Sequence, residues 1–208
     1  MNKKTSEKAI KFIKEKQNSI AITAIAVIFA VLAILSFNYL AQQKQDEAQK
    51  AFGEALALFS NENDDALEKL REVSDDYKGT VYAGYSLALL GKTLLDKEEY
   101  REAAAVFDEA LKAKQSAAFL TAQLYDMKAT ALEYDGALDD ALSAYKKALA
   151  VKNNFYRKNE IILKSALLNL RMGQNDEAKK LFKEIIADIK AEEKYLRIAK
   201  NELSVLEK

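Results

Sequence analysis

The sequence predicts an all-α chain: a single N-terminal transmembrane helix, then an α-solenoid of about four helical hairpins and a C-terminal capping helix. Three observations carry that expectation. Residues 20–37 hold no charge over 18 positions, and only Thr23 and Ser36 among them are polar. Further on, an acid followed by Ala, a bulky residue four later and a small or aliphatic one after three more recurs four times. The chain also lacks proline altogether, so no helix interior is broken by one.

The recurrent elements are Asp65-Ala66 with Leu70 and Val73, and Glu102-Ala103 with Phe107 and Ala110. They continue as Asp140-Ala141 with Tyr145 and Ala148, and Glu177-Ala178 with Phe182 and Ile185. The alanines lie 37, 38 and 37 residues apart. Residues 84–117 show the unit best. Leu87, Leu90 and Leu94 share one helical stripe, Gly91 follows Leu90, and Asp96-Lys97-Glu98-Glu99 makes a polar break. Tyr100, Ala103, Phe107 and Ala110 then recur at spacings of three and four. Gly91, Ala103 and Ala110 would let two antiparallel backbones approach, and Phe107 would fill the space they leave. Leu-Gly in a first helix and Ala-x3-Phe-x2-Ala in a second resembles the tetratricopeptide repeat. The spacing exceeds the usual period of about 34 residues, so helices or turns should be longer by about one helical turn.

Composition narrows the chemistry. With no cysteine there is no disulfide, thiolate nucleophile or sulfur-bound zinc, and with no histidine the commonest general base is missing. No acidic cluster stands apart from ordinary helix faces, and no glycine pattern forms a phosphate loop. The reading is a non-enzyme without cofactor or metal. Lysine pairs such as Lys146-Lys147 and Lys179-Lys180 sit among acids, which favours a solvated surface over nucleic-acid binding. The tyrosines at 100, 125, 134, 145, 156 and 195 read mostly as core or rim residues by helical spacing.

Residues 1–19 carry six lysines and two glutamates and are expected to form a short helix or a tail. Taken to Leu40, the apolar run spans about 31 Å at 1.5 Å per residue, close to the bilayer core. Eleven of the first 18 residues are Ile, Val, Leu or Phe, each favouring insertion by roughly 0.3–0.6 kcal/mol. Ala24-Ile25-Ala26 lies inside the run and Tyr39 precedes Ala41 by two, so no good cleavage site follows it. An uncleaved signal anchor at 20–40 is expected. The only basic residues among 41–60 are Lys44 and Lys50. The positive-inside rule therefore leaves residues 1–19 cytoplasmic and exports 41–208.

The anchor helix is expected to run on into the first leading helix, with Ala48, Ala51, Phe52, Ala55 and Leu58 as its apolar positions. Asn61-Glu62-Asn63-Asp64 reads as a turn and cap cluster. Gly79 suits a helix C-cap, and Thr80 suits the N-cap of the next helix. Further breaks are expected at Asp135-Gly136, Lys152-Asn153-Asn154 and Met172-Gly173-Gln174-Asn175. Ile161, Ile162, Leu163, Ala166, Leu167 and Leu170 should pack inward in the fourth leading helix. A final helix over 192–207, with Tyr195, Ile198, Ala199, Leu203 and Leu206 on one side, would cap the stack.

Tyr77-Lys78-Gly79-Thr80 leading to Ala83, then Leu90-Gly91 and Tyr100-x2-Ala103, resembles the ancillary SecYEG translocon subunit family, the YfgM-like proteins. Those proteins often carry a proline after the equivalent of Tyr77, which this chain lacks. The resemblance implies a non-catalytic role on the exported side of a bacterial inner membrane, with translocon subunits, periplasmic chaperones or exported clients as partners. An adaptor in envelope assembly or division is the alternative. In such folds the leading helices line a groove, and Tyr85, Ala88, Lys92, Gln123, Asp126, Thr130, Glu133, Leu163 and Leu167 are the candidates for it. The row Ala88, Asp126, Leu163 lacks the Lys and Asn with which cytosolic co-chaperones of this class grip a terminal carboxylate. A mixed apolar and acidic groove suits a protein segment or helix.

Overall fold

The computed structural model describes residues 3–60, 65–113, 118–152 and 157–208. Among them it contains nine α-helices and no strand. These are α1 (Lys3–Ser60), α2 (Ala66–Asp76), α3 (Val81–Asp96), α4 (Tyr100–Lys112) and α5 (Ala118–Tyr134), then α6 (Leu138–Ala150), α7 (Lys158–Arg171), α8 (Asn175–Ala187) and α9 (Glu193–Leu206). The all-α expectation holds. The chain divides into two compact units, Met1–Glu47 and Ala48–Lys208, where the sequence placed a boundary at 40/41.

In the first unit the basic segment is helical from Lys3 onward. Every residue from 21 to 44 is exposed. Ile22, Phe29 and Phe37 show 68%, 68% and 72% of their surface. A soluble amphipathic helix buries one stripe, whereas this one is apolar all round and buries none.

The second unit is a stack in which each helix packs on its sequence neighbours: α2 on α3, α3 on α4, and so on to α8 on α9. The end of α1 contributes Ala48 and Ala55, both fully buried, and Ala55 packs against Leu70 and Val73 of α2. The four pattern alanines, Ala66, Ala103, Ala141 and Ala178, are all buried. So are the bulky residues Leu70, Phe107, Tyr145 and Phe182, each at most 1% exposed. Gly91 meets Phe107 as expected: a Cβ at Gly91 would lie 2.7 Å from the ring's Cε1. That is less than a van der Waals contact allows, so the pair requires glycine at this position.

Three hairpins turn in the same way. At the end of α3, α5 and α7 the amides of Glu99, Ala137 and Gln174 donate to carbonyls five residues back, on Leu94, Leu132 and Asn169. That is the Schellman arrangement, which places one residue in the left-handed region. Gly136 (φ 87°) and Gly173 (φ 74°) fill the place in two turns, and Glu98 (φ 65°) fills it in the other. At the break before α3, Gly79 has φ 86° and the Thr80 hydroxyl oxygen accepts from the Ala83 amide at 3.2 Å. Both caps match the sequence expectation.

Among the described residues, the extra period length is seen in α3 and α5, of 16 and 17 residues. The expected turn at 61–64, most of the one at 152–154, and Tyr156 lie outside the described residues. The last helix buries Tyr195 and Ala199 against α7 and α8 and exposes Glu193, Arg197, Lys200 and Ser204. A polar outer face is what a terminal helix needs to end a stack.

Candidate functional site

Leading helices α3, α5 and α7 carry the nine groove candidates, and burial divides them. Asp126 is 1% exposed. Its Oδ1 accepts from Lys164 Nζ at 2.7 Å, and Arg157 Nη1 stands 3.6 Å from Oδ2. A carboxylate so placed is neutralised inside the stack and joins α5 to α7. Leu163 is 7% exposed and belongs to the core formed with Phe182 and Tyr195. The expectation that Asp126 lines a surface groove is therefore corrected, and so is the groove assignment of Leu163, which packs inward as the pattern of the fourth leading helix predicted, whereas Leu167, expected to pack inward beside it, is exposed. Helical spacing assigns a face, but the neighbouring repeat decides depth.

Glu133 is also engaged. It accepts from the Tyr145 hydroxyl and from Arg171 Nη1, both at 3.1 Å, and its carbonyl accepts from Arg171 Nη2 at 3.2 Å. Burial pushes the Tyr145 hydroxyl far above its ordinary pKa, which keeps it a donor. Thr130 donates to the Asp126 carbonyl at 3.0 Å. Around Arg157, Glu160 accepts from Arg157 Nε at 2.9 Å and from the Tyr195 hydroxyl at 3.1 Å. The hydrogen bond from Arg157 holds the Glu160 carboxyl below its usual range. On α3, Lys92 is exposed and ion-paired with Asp96.

Tyr85, Ala88 and Gln123 remain half-buried, and Leu167 is 40% exposed. Tyr85 belongs to a group the sequence reading missed. Phe52 of α1 lies 5.8 Å from Tyr82 and 6.1 Å from Tyr85 between ring centroids, and the two tyrosines meet edge to face at 5.9 Å. Leu56 and Phe59, four and seven residues after Phe52 and so on its stripe, are each 37% exposed. The other residues missed are the cations Lys164 and Arg171. A readable signal existed for them: Asp126–Lys164 and Glu133–Arg171 are each separated by 38 residues, one repeat. The surface pair Arg71–Glu109, at 2.6 Å, has the same separation.

On the side of the second helices, a cleft of about 370 Å³ lies between α4, α5 and α6. Of its charged side chains, Lys128 reaches Asp108 at 2.6 Å and Lys147 stands 6.0 Å from the centre of the Tyr125 ring, and Asp140 lines it as well. Among the described residues no group of three or more Asp and Glu could hold a metal ion. What the unit offers is surface.

The fold is similar to solved repeat proteins. A tetratricopeptide repeat protein from Parabacteroides merdae superposes with a TM-score of 0.63 at 15% identity, over 78% of this chain and 60% of that one. The present chain thus spans less than two thirds of that protein's length. A putative kinesin light chain from Podosopora anserina, with nearly identical TPR-like repeats, gives 0.59 at 15% identity, over 78% and 85%. At such identities the likeness is one of fold. No curated protein matches the sequence. The period, the hairpins and the cap nevertheless have one common description, because the tetratricopeptide repeat-like domain family matches residues 11–205 and the chain belongs to it.

Proposed function

We propose that this chain is a membrane-anchored scaffold that holds a protein partner on the exported side of a bacterial inner membrane, as an ancillary, chaperone-linked component of the protein translocon. Its repeat domain is of a kind that serves protein–protein interaction. The observation that carries the membrane part is α1: uncharged from 20 to 40 and exposed on every side from 21 to 44. In water that surface is costly, and in a bilayer it is matched. The family match begins at residue 11, so the apolar stretch and the repeats are matched as one unit. Six lysines before the stretch, against Lys44 and Lys50 soon after it, favour an exported repeat domain.

Two measurements on the full chain in a bacterial host test this. Alkaline carbonate washing should leave the protein in the membrane pellet, and a reporter active only outside the cytoplasm should work when fused after Lys208. Release by the wash removes the anchor, and an inactive reporter reverses the orientation. Purification from detergent-solubilised membranes should then bring down translocon subunits. Division or outer-membrane assembly proteins in their place would make the chain an envelope adaptor.

A further inference from the structure

We propose that the basic start of α1 is a lipid-binding element: residues 3–16 lie along the membrane surface and hold anionic phospholipid headgroups. The proposal rests on the membrane-anchor reading above and gives these residues a role of their own.

Four observations carry it. The segment is helical from Lys3 onward and leads into the charge-free stretch 20–40 without a loop. A bilayer that holds the stretch therefore keeps the segment at its surface, where the effective concentration of headgroups is high. Its charge suits that surface. Residues 1–19 carry six lysines against Glu7 and Glu15, and such a cluster beside a membrane helix attracts anionic lipid. The helical register then sorts the residues by face. At about 100° per residue, Lys3, Lys4, Lys8, Lys11 and Lys14 share an arc of about 140° with the two glutamates. Ala9, Ile10, Phe12 and Ile13 fall outside that arc, the division expected of a helix that lies in the interface. Finally, Thr23 Oγ1 donates to the Ser19 carbonyl at 2.9 Å. A hydroxyl bonded to the carbonyl four residues back often bends a helix, and this one stands where the segment would turn onto the surface. Nucleic acid fits less well. It has no use for the apolar side, and the segment has no arginine, the residue best shaped to pair with phosphate.

The test uses the full chain in two kinds of lipid nanodisc, one of phosphatidylcholine and one of phosphatidylcholine mixed with phosphatidylglycerol. The chain has no tryptophan, so Ile13→Trp supplies a single emitter on the apolar side. With the anionic lipid alone, its emission should move to shorter wavelength and acrylamide should quench it less. High salt should reverse both changes, because the attraction is one of exposed charges. Lys3→Gln, Lys4→Gln, Lys8→Gln and Lys11→Gln together should abolish the shift, since each lysine near an anionic surface strengthens binding about fivefold. Ile10→Ser should weaken it with the charges intact. All variants should still co-elute with nanodiscs through residues 20–40.

Equal emission with the two lipids overturns the proposal, as does a shift that survives the four glutamines. A chain that co-elutes with nanodiscs but shows no lipid-dependent shift overturns the proposal and leaves the anchor reading intact. Failure to co-elute with either nanodisc overturns both. Lysine-dependent binding of a dye-labelled DNA duplex, in place of the shift, overturns the lipid assignment and makes the partner a nucleic acid.

Discussion

Phe107 and Tyr145 occupy the same step of successive hairpins, 38 residues apart, each 16 residues after a small residue of the leading helix, yet they close their hairpins differently. Phe107 presses on Gly91 so closely that no Cβ fits between them. Its core is dry, made of Leu87, Leu90, Leu94, Ala103 and their neighbours. Tyr145 faces a helix that keeps Ala129, and its hydroxyl reaches Glu133, which Arg171 of the next leading helix also holds. One hairpin is closed by backbone proximity, and the other is wired to its successor. A repeat position specifies volume, and what the side chain does with its polar tip is free to differ.

Four substitutions probe that contrast, each read by thermal unfolding of the detergent-solubilised full chain. Asp126→Ala should be the most damaging. Removing one member of a buried pair costs roughly 3–5 kcal/mol, with the low end expected because Lys164 and Arg157 can still reach water. A loss under about 1 kcal/mol would mean the wired half does not depend on its carboxylate. Gly91→Ala should cost about 1–3 kcal/mol by forcing the Phe107 ring aside. If it stabilises instead, the dry hairpin has slack. Tyr145→Phe should cost only about 0.5–1.5 kcal/mol, the worth of one hydrogen bond, and the loss should shrink when Glu133 is already Ala, which removes the acceptor. Glu98→Gly should raise stability by up to about 1 kcal/mol, by relieving a side chain in the left-handed region. No change there would place the strain elsewhere.

Much of this was legible. The alanines at 66, 103, 141 and 178 marked the helix contacts because a small residue facing a bulky one is the condition for close packing. Gly79 and Thr80 marked a boundary because their backbone preferences are local. Asp126, and Leu163 as a groove residue, were misjudged for a physical reason. Periodicity along one helix tells which side a residue faces, and it is silent about what the next repeat lays over that side. Opposite charges one period apart would have revealed the ion pairs. Nothing so simple marks the Phe52, Tyr82 and Tyr85 cluster, whose members come from helices separated by a turn and α2.

The cap has a dynamic consequence. The most extensive packing here is between helices adjacent in sequence, and a chain built that way can fray from its end one helix at a time. At the C-terminus α9 also packs on α7, and its Tyr195 hydroxyl donates to Glu160, 35 residues earlier. Releasing α9 therefore strips Glu160, and with it the partner of Arg157, of the Tyr195 hydroxyl, and exposes the flank of α8. The last three helices should open as a single cooperative block, and native-state hydrogen exchange should give α7, α8 and α9 one common opening free energy.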